Sequence, residues 1–251
     1  MHRFYLSPND WNELQLRGGE GHHARDVLRL QPNDRLIVFD GAGREATAEI
    51  TALDARAVRL RLLQQTFSPS LGARISLAQA IPKGKNMDLI VQKAVEIGGA
   101  EIFPLLSART VVQLDAEAAA QKQAKWQTIA LEAAKQCGQN WLPEIHLPQP
   151  PNDFLATQRA ADFDLRLIGS LQPGAIHLKK ILADYEQENS GARPKRVLIL
   201  VGPEGDFTPA EIGLARSHGC LPLTLGPIIL RVETAAIYCL SILSYELLGE
   251  G

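Results

Sequence analysis

The chain is poor in cysteine and has no long apolar run. Its 251 residues include three scattered cysteines, Cys137, Cys220 and Cys239, and no Cys-x-x-Cys pair. This argues against a disulfide framework and a structural zinc site, and we expect no bound metal. No stretch reaches the roughly 18 apolar residues of a membrane-spanning helix. Residues 1–5 lack the apolar core of a signal peptide, so we expect a cytoplasmic protein.

The charge is nearly balanced, with 26 Lys and Arg against 28 Asp and Glu and a formal net charge of -2. Such a chain has no global attraction to nucleic acid, so any affinity must come from a local patch. Residues 1–72 hold nine Arg and no Lys, against nine acidic residues. Because the planar guanidinium suits phosphate and base contacts, these arginines indicate either such a patch or the wet faces of a sheet.

Residues 1–72 have the pattern of a small β domain. Strands are predicted over residues 3–6, 34–40, 44–53 and 56–65. In the last of these, apolar side chains alternate with Arg59 and Arg61, the period of a sheet with one wet face. Gly41-Ala42-Gly43 supplies a hairpin turn, and residues 20–30 form the one predicted helix. The economical architecture is a small β-barrel.

The pattern changes around residues 67–72, because short apolar strands then alternate with helical periodicities. This is typical of an α/β domain with a mostly parallel sheet. We therefore predict two domains, residues 1–72 and 73–251. Strands are predicted over residues 74–81, 101–106, 163–169 and 197–201. One predicted helix ends at Gly98-Gly99 and another near Gly138, and Cys137 in the latter is expected to serve packing.

The stretch from Val197 to Glu211 runs from a buried strand through a glycine turn into a helix. Thr208 is a good N-cap, Pro209 fits the first helical position and Glu211 completes a capping box, so the helix start is well specified. The turn Gly202-Pro203-Glu204-Gly205 therefore lies at the carboxyl end of a strand, where open α/β sheets bind ligands. A purely structural turn fits the pattern equally well.

A second loop, residues 226–231, follows a short strand predicted over residues 221–225. It places Ile229 and Leu230 between a Gly-Pro turn and a helix, where exposed apolar side chains suit contact with adenine. The final helix, residues 232–248, is apolar on nearly every face. This indicates either contact with a partner subunit or a core position within a single large domain.

Several motifs agree, in order along almost the whole chain, with one known family. They are His2-Arg3-Phe4, His22-His23, Val27-Leu28-Arg29-Leu30, Pro82-Lys83-Gly84-Lys85, Met87-Asp88, Gln92-Lys93-Ala94, Glu132-Ala133-Ala134, Gln136-Cys137-Gly138, Gly202-Pro203-Glu204-Gly205, Leu225-Gly226-Pro227, Ile229-Leu230-Arg231 and Glu233-Thr234-Ala235. The chain resembles the RsmE family of small-subunit ribosomal RNA uridine-N3 methyltransferases, in the SPOUT superfamily.

The resemblance implies a PUA-like RNA-binding barrel followed by an α/β domain with a deep trefoil knot, although general topology rules argue against knots. It also implies S-adenosylmethionine as cofactor, ribosomal RNA as substrate, within the small ribosomal subunit, and a homodimer. Carried over by position, the cofactor-binding residues are Leu200, Val201, Gly202, Pro203, Gly205, Leu225, Gly226, Ile229, Leu230 and Thr234. For contact with RNA we predict Arg3, His22, His23, Arg25, Arg29, Lys83, Lys85 and Lys93.

In this reaction the uridine N3 must lose its proton to attack the sulfonium methyl group in line. We assign Arg231 to stabilise the charge that develops on the uracil oxygens; a salt bridge that holds its loop is the alternative. Glu204 and Glu132 are the candidate bases, and either also fits an ion-pair role. Ile228 and Gln139 stand where the family usually has Arg. Two rival functions are another SPOUT methylation and a non-catalytic RNA-binding factor.

Overall fold

The computed structural model describes residues 1–110, 114–157 and 162–249. They divide into two compact units, residues 1–70 with 131–142, and residues 71–130 with 143–251. The sequence does not foresee that residues 131–142 group with the N-terminal stretch. They do so because the Asn140 amide and the Trp141 indole both donate to Ser68, at 2.9 Å each. None of the described helices is long and apolar enough to cross a membrane.

The first unit is built on a five-stranded sheet in the order β1-β3-β4-β5-β2. The strands are β1 (Arg3–Tyr5), β2 (Gln15–Leu16), β3 (Arg35–Phe39), β4 (Arg44–Leu53) and β5 (Val58–Phe67). β1 pairs with β3 in parallel, and the other pairs are antiparallel. As the alternating pattern predicts, one face of the sheet is apolar. Its side chains Phe4, Val38 and Ile50 lie with Trp11, from the segment between β1 and β2, in one buried core cluster.

The helical part of this unit differs from the prediction of one helix over residues 20–30. Helix α1 (Pro8–Glu13) was not predicted, although Ser7 caps it and Pro8 occupies its first turn. Helix α2 (Gly18–His22) continues into a π-helical turn (His23–Val27). The helix ends early because Arg29 has φ 53°, a left-handed conformation that cannot extend a right-handed helix.

The second unit contains a six-stranded sheet in the order β11-β9-β10-β6-β7-β8, and every pair of neighbours is parallel. The strands are β6 (Arg74–Ala80), β7 (Gly99–Leu105), β8 (Glu144–Ile145), β9 (Leu165–Gly169), β10 (Arg196–Val201) and β11 (Leu221–Leu223). Strand β10 is buried from Val197 onward, which explains its continuous apolar run. The predicted parallel α/β sheet is confirmed.

Six helices among the described residues of this part of the chain connect the strands or follow them. They are α3 (Asn86–Glu96), α4 (Ala116–Cys137), α5 (Pro151–Ala156), α6 (Leu178–Glu188), α7 (Pro209–Ser217) and α8 (Val232–Leu248). The chain places β7 and β8 on one side of β6 and β9, β10 and β11 on the other. The order of the strands therefore reverses between β6 and β10, and a crevice at their carboxyl ends is expected there.

Helix α8 lies beside α3, β6 and β10. It buries a stripe that includes Ala236, Leu240 and Leu243 and leaves Tyr238 and Tyr245 exposed, the latter by 82%. The helix is thus half-buried in this chain. Cys137 on α4 is exposed, so the expected packing role for this thiol is wrong; the helix turns its last residue outward just before Gly138.

Candidate active site

A pocket of about 470 Å³ lies in the second unit at the carboxyl ends of the parallel strands. Three chain segments form most of it: residues 169–171 at the end of β9, residues 201–206 at the end of β10, and residues 225–235 after β11. Asn86, at the start of α3, completes the wall. The pocket therefore stands where the strand order reverses, the position at which open parallel sheets leave room for a ligand.

The turn after β10 has little room for side chains. A Cβ on Gly202 would lie 3.0 Å from the backbone nitrogen of Phe207 and 3.0 Å from the Asp206 carboxylate. Asp206 itself has φ 61°, and its carboxylate accepts the Phe207 N–H at 2.7 Å. Thr208 and Glu211 then form the predicted capping box that starts α7. Local sequence thus fixes the shape of this wall.

The opposite wall is an exposed apolar loop. Ile228 and Ile229 are 72% and 78% exposed, and Gly226 has φ 103°, a left-handed conformation that glycine adopts readily. Within the described residues, the backbone amides of Ile228, Ile229 and Leu230 donate no hydrogen bond to the main chain. Such a loop offers both apolar surface and free N–H groups to a ligand.

Besides Asp206, three charged residues line the pocket, and their surroundings differ. Glu233 accepts a hydrogen bond from the Asn86 amide at 3.2 Å, and Glu204 accepts the backbone N–H of Lys83 at 2.8 Å. Arg231 is the exposed N-cap residue of α8. No carboxylate among the described residues pairs with its guanidinium, so the salt-bridge alternative finds no partner there.

The pocket gathers six of the ten residues predicted to bind the cofactor: Val201, Gly202, Pro203, Leu225, Ile229 and Leu230. The other four lie near it without lining it. Leu200 packs in the core, since successive side chains of a strand alternate between its faces. Gly205, Gly226 and Thr234 belong to the same loops and to the first turn of α8.

Sequence reasoning missed Gly169, Ser170 and Leu171 at the end of β9. It also missed the pocket residues Asn86 and Asp206. The strand itself was predicted, and the rule that ligands bind beyond carboxyl ends of strands would have pointed to Gly169 and Ser170. The same rule covered Asp206, which follows directly on the predicted Gly202–Gly205 turn. Asn86 carried no comparable signal, because its place in the pocket depends on long-range packing.

Comparison with known proteins finds matches over most of the chain. A family described as the RNA methyltransferase domain matches residues 69–244, and one described as the RNA methyltransferase PUA domain matches residues 16–63. The ribosomal RNA small subunit methyltransferase E of Bacillus subtilis is 32% identical over 237 residues, 93% of this chain and 90% of that protein.

The chain belongs to the ribosomal RNA small subunit methyltransferase E family.

Solved structures agree with this assignment. The family member from Neisseria gonorrhoeae, bound to S-adenosylmethionine, has a TM-score of 0.83 and 30% identity over 98% of both chains. A Legionella pneumophila protein, also in complex with S-adenosylmethionine, has a TM-score of 0.84 and 34% identity over 97% of both chains. The resemblance read from the motifs is confirmed, as is the prediction of an RNA methyltransferase with a PUA-type domain.

The side chains predicted to contact RNA differ in their exposure and in their contacts within the chain. The Arg3 guanidinium is 9% exposed, contacts Glu45 and Asn140, and stacks 4.4 Å from the centre of the Phe39 ring. Arg3 is therefore committed to the first unit. His23 is half-buried, edge-on to the Phe4 ring.

Two other basic side chains of the first unit share one acidic partner. His22 lies 2.7 Å from Asp26, and Arg25 contacts Asp26 at 2.7 Å and the carbonyl oxygen of Asp54 at 3.1 Å. Arg29 is exposed. The positive charge at His22 and Arg25 is thus partly balanced within the chain.

The second unit carries the three predicted lysines. Lys83 and Lys85 are exposed on the loop before α3. Lys93 contacts both oxygens of Glu96, at 2.9 and 2.8 Å. Glu132, one of the candidate bases, is exposed and pairs with Lys135 at 2.9 Å, which fits its ion-pair alternative.

One cluster of potential metal ligands lies away from the pocket, formed by Glu101, Glu144 and His146. Its members already contact one another and a neighbouring cation: His146 lies 3.8 Å from Glu101 and 3.2 Å from Glu144, and Arg74 lies 3.5 Å from Glu101. Bonding to His146, and then to Ser76, lowers the pKa of Glu101 to about 2 against the opposing effect of burial. We interpret the cluster as a charge network.

Proposed function

We propose that this chain transfers a methyl group from S-adenosylmethionine to N3 of a uridine in small-subunit ribosomal RNA. The observation that carries the proposal is the convergence of the Gly202 turn and the Ile228–Leu230 loop on one pocket at the carboxyl ends of β9 and β10. Related structures hold S-adenosylmethionine, and related proteins are named for the RNA.

The residues present fit this cofactor. Val201, Leu225 and Leu230 supply apolar surface for a nucleoside base, and the free amides of residues 228–230 supply donors for its ring nitrogens. The bare Cα of Gly202 lets the backbone come close to the ligand. We assign the ten cofactor-binding residues of the sequence analysis to this site, with Asn86 and Asp206 added.

When bound, S-adenosylmethionine supplies a methyl group activated by its sulfonium. The chain must hold the uracil ring so that N3 faces that methyl group and must stabilise the charge left on the flanking oxygens. Arg231 is suited to this, because it lines the pocket and its guanidinium has no carboxylate partner among the described residues. Substitution of Arg231 by Ala is expected to lower turnover about 100-fold and leave cofactor affinity unchanged.

Glu204 remains our candidate for the proton acceptor. Its Oε1 accepts the Lys83 N–H, which positions the carboxylate at the pocket wall and leaves Oε2 for the substrate proton. Glu204→Gln keeps an acceptor for Lys83 and removes the basic oxygen. We expect it to abolish the rise of turnover with pH that a carboxylate base produces; an unchanged pH profile would remove Glu204 from this role.

Calorimetric titration with S-adenosylmethionine tests the cofactor site. Gly202→Trp places a bulky side chain against Asp206 and Phe207, which distorts the pocket wall, and is expected to abolish binding. Gly213→Trp on α7 is the matched control, because a Cβ on Gly213 meets nothing within 4 Å. Equal binding by both variants would contradict the site. Mass spectrometry of nucleosides from treated small subunits and from free RNA then identifies the methylated base and the substrate form.

We further propose the architecture that the family resemblance implies. The functional domains would be residues 1–72, as a closed PUA-like barrel, and residues 73–251, whose loops 202–206 and 225–231 would belong to a trefoil knot. The remaining RNA contacts would come from His22, Arg25, Arg29 and the three lysines, and the protein would act in the cytoplasm, where ribosomal RNA is modified.

We also propose a homodimer. The exposed face of α8 presents Tyr238 and Tyr245, and large exposed aromatic side chains are typical of subunit contacts. Sedimentation velocity is expected to give a dimer for the wild type and a monomer for Tyr238→Glu. A monomeric wild type across micromolar concentrations would contradict the proposal.

A further inference from the structure

The loop after β7 is a well-defined turn. Ser107 is buried, and its backbone N–H donates to the Thr110 hydroxyl at 3.1 Å. The Thr110 N–H donates back to the Ser107 carbonyl at 2.9 Å, and the two hydroxyls lie 2.9 Å apart. Because these bonds close on one another, the turn is stiff and can serve as a fixed support for a neighbouring segment.

This turn contacts the segment that follows β10 at two points. The Ala108 N–H donates to Oε1 of Glu211 at 2.8 Å, and the Arg109 guanidinium donates to the carbonyl oxygen of Gly205. Neither Ala108 nor Arg109 lines the pocket. Both bonds nevertheless end in or next to the pocket-lining turn. One ends on Gly205 within the turn, and the other ends on Glu211 in the first turn of α7.

Glu211 divides its two carboxylate oxygens between different tasks. Oε2 accepts the Thr208 N–H at 2.8 Å, which is its part in the capping box, and also the Thr208 hydroxyl at 2.9 Å. Within the described residues, Oε1 accepts from Ala108 alone. A cap requires one of these oxygens only, so the second oxygen links the start of α7 to the turn after β7.

We propose that Ser107–Thr110 is a brace that sets the position of the cofactor-binding turn, with Arg109 and Glu211 as its positioning residues. Residues 202–206 lie in the segment that connects the end of β10 to the start of α7. Glu204 ties them to Lys83 on one side, and the brace ties them to the loop after β7 on the other. The inference rests on the proposed function, because it assigns the turn to S-adenosylmethionine.

Glu211→Gln separates the two tasks of this side chain. Glutamine has one acceptor oxygen, and two donors compete for it on the Thr208 side against one at Ala108. The oxygen is therefore expected to keep the cap, while the amide N–H₂ faces the Ala108 N–H and the brace is lost. Arg109→Ala breaks the other bond without touching the cap.

The test measures S-adenosylmethionine affinity, both KM values and thermal unfolding for Glu211→Gln, Arg109→Ala and Thr208→Ala. We expect the first two to raise the dissociation constant and the cofactor KM about tenfold, the size of one lost positioning bond of about 1.4 kcal/mol, with little change in unfolding temperature or in the KM for RNA. Thr208→Ala should lower the unfolding temperature and keep the affinity. Arg109→Lys should recover part of the affinity, since lysine still provides one donor.

Hydrogen exchange of the amides in residues 202–207 gives a readout that does not depend on the cofactor. Faster exchange is expected in Arg109→Ala and Glu211→Gln than in wild type. Wild-type affinity and exchange in both variants would overturn the brace. Faster exchange in a protein that binds no S-adenosylmethionine would retain the brace and reject the proposed function.

Discussion

The Gly202→Ala variant offers a direct test of how tightly the cofactor turn is built. The new methyl group would lie 3.0 Å from the Phe207 nitrogen, 3.0 Å from the Asp206 carboxylate and 3.2 Å from the Asp206 carbonyl carbon. Two of these three atoms are backbone, so relief requires movement of the turn. Overpacking of this kind costs about 1–3 kcal/mol.

That strain can be relieved only by a shift of the pocket wall, so we expect much of it to appear as lost cofactor affinity, about tenfold or more. Gly213→Ala, on α7, is the matched control, because a Cβ there would meet nothing within 4 Å. We expect less than a threefold effect there. Calorimetric titration and denaturant unfolding of both variants measure the two quantities. Equal affinities and stabilities for the two variants would refute the steric argument.

Two predictions concern stability. The pKa of Glu101 in the folded chain is about 2, below its usual 4.5. The stabilisation that its bonds provide is therefore complete above pH 4.5 and is lost as the pH falls through 2. Glu101→Gln should lower the free energy of unfolding by about 1–2 kcal/mol at pH 7, after solvent screening is allowed for. Denaturant unfolding should show this deficit shrinking below pH 4.5 and a smaller deficit for Glu144→Gln, whose side chain is 58% exposed; a pH-independent deficit would be inconsistent with the linkage. Leu243→Ala, fully buried on α8, should lower the free energy of unfolding by about 2–5 kcal/mol, against less than about 0.5 kcal/mol for Lys179→Ala on the exposed surface of α6. Similar costs would mean that α8 is not packed as described.

Much of the local structure followed from the sequence, because short-range rules decide it. The buried strand β10, the capping box at Thr208 and the bounds of α8 depend on hydrophobic period and on the chemistry of helix ends. The missed helix α1 also carried a local signal, Ser7 before Pro8. Of the six predicted residues that line the pocket, Gly202, Pro203, Ile229 and Leu230 were indicated by the strand-end turn and the exposed apolar loop, and Val201 and Leu225 came from the family resemblance.

Long-range contacts decided the rest. The sequence specifies that Glu204 follows a strand, but only the folded chain brings its carboxylate to the Lys83 N–H, 121 residues away. The sequence predicts that Arg3 contacts RNA, but in the folded chain its guanidinium contacts Glu45 and Asn140. A sequence pattern records which side chains are polar and which backbone they suit. It does not record which partner from another part of the chain satisfies them, and at this site those partners determine the shape of the pocket and the position of its charges.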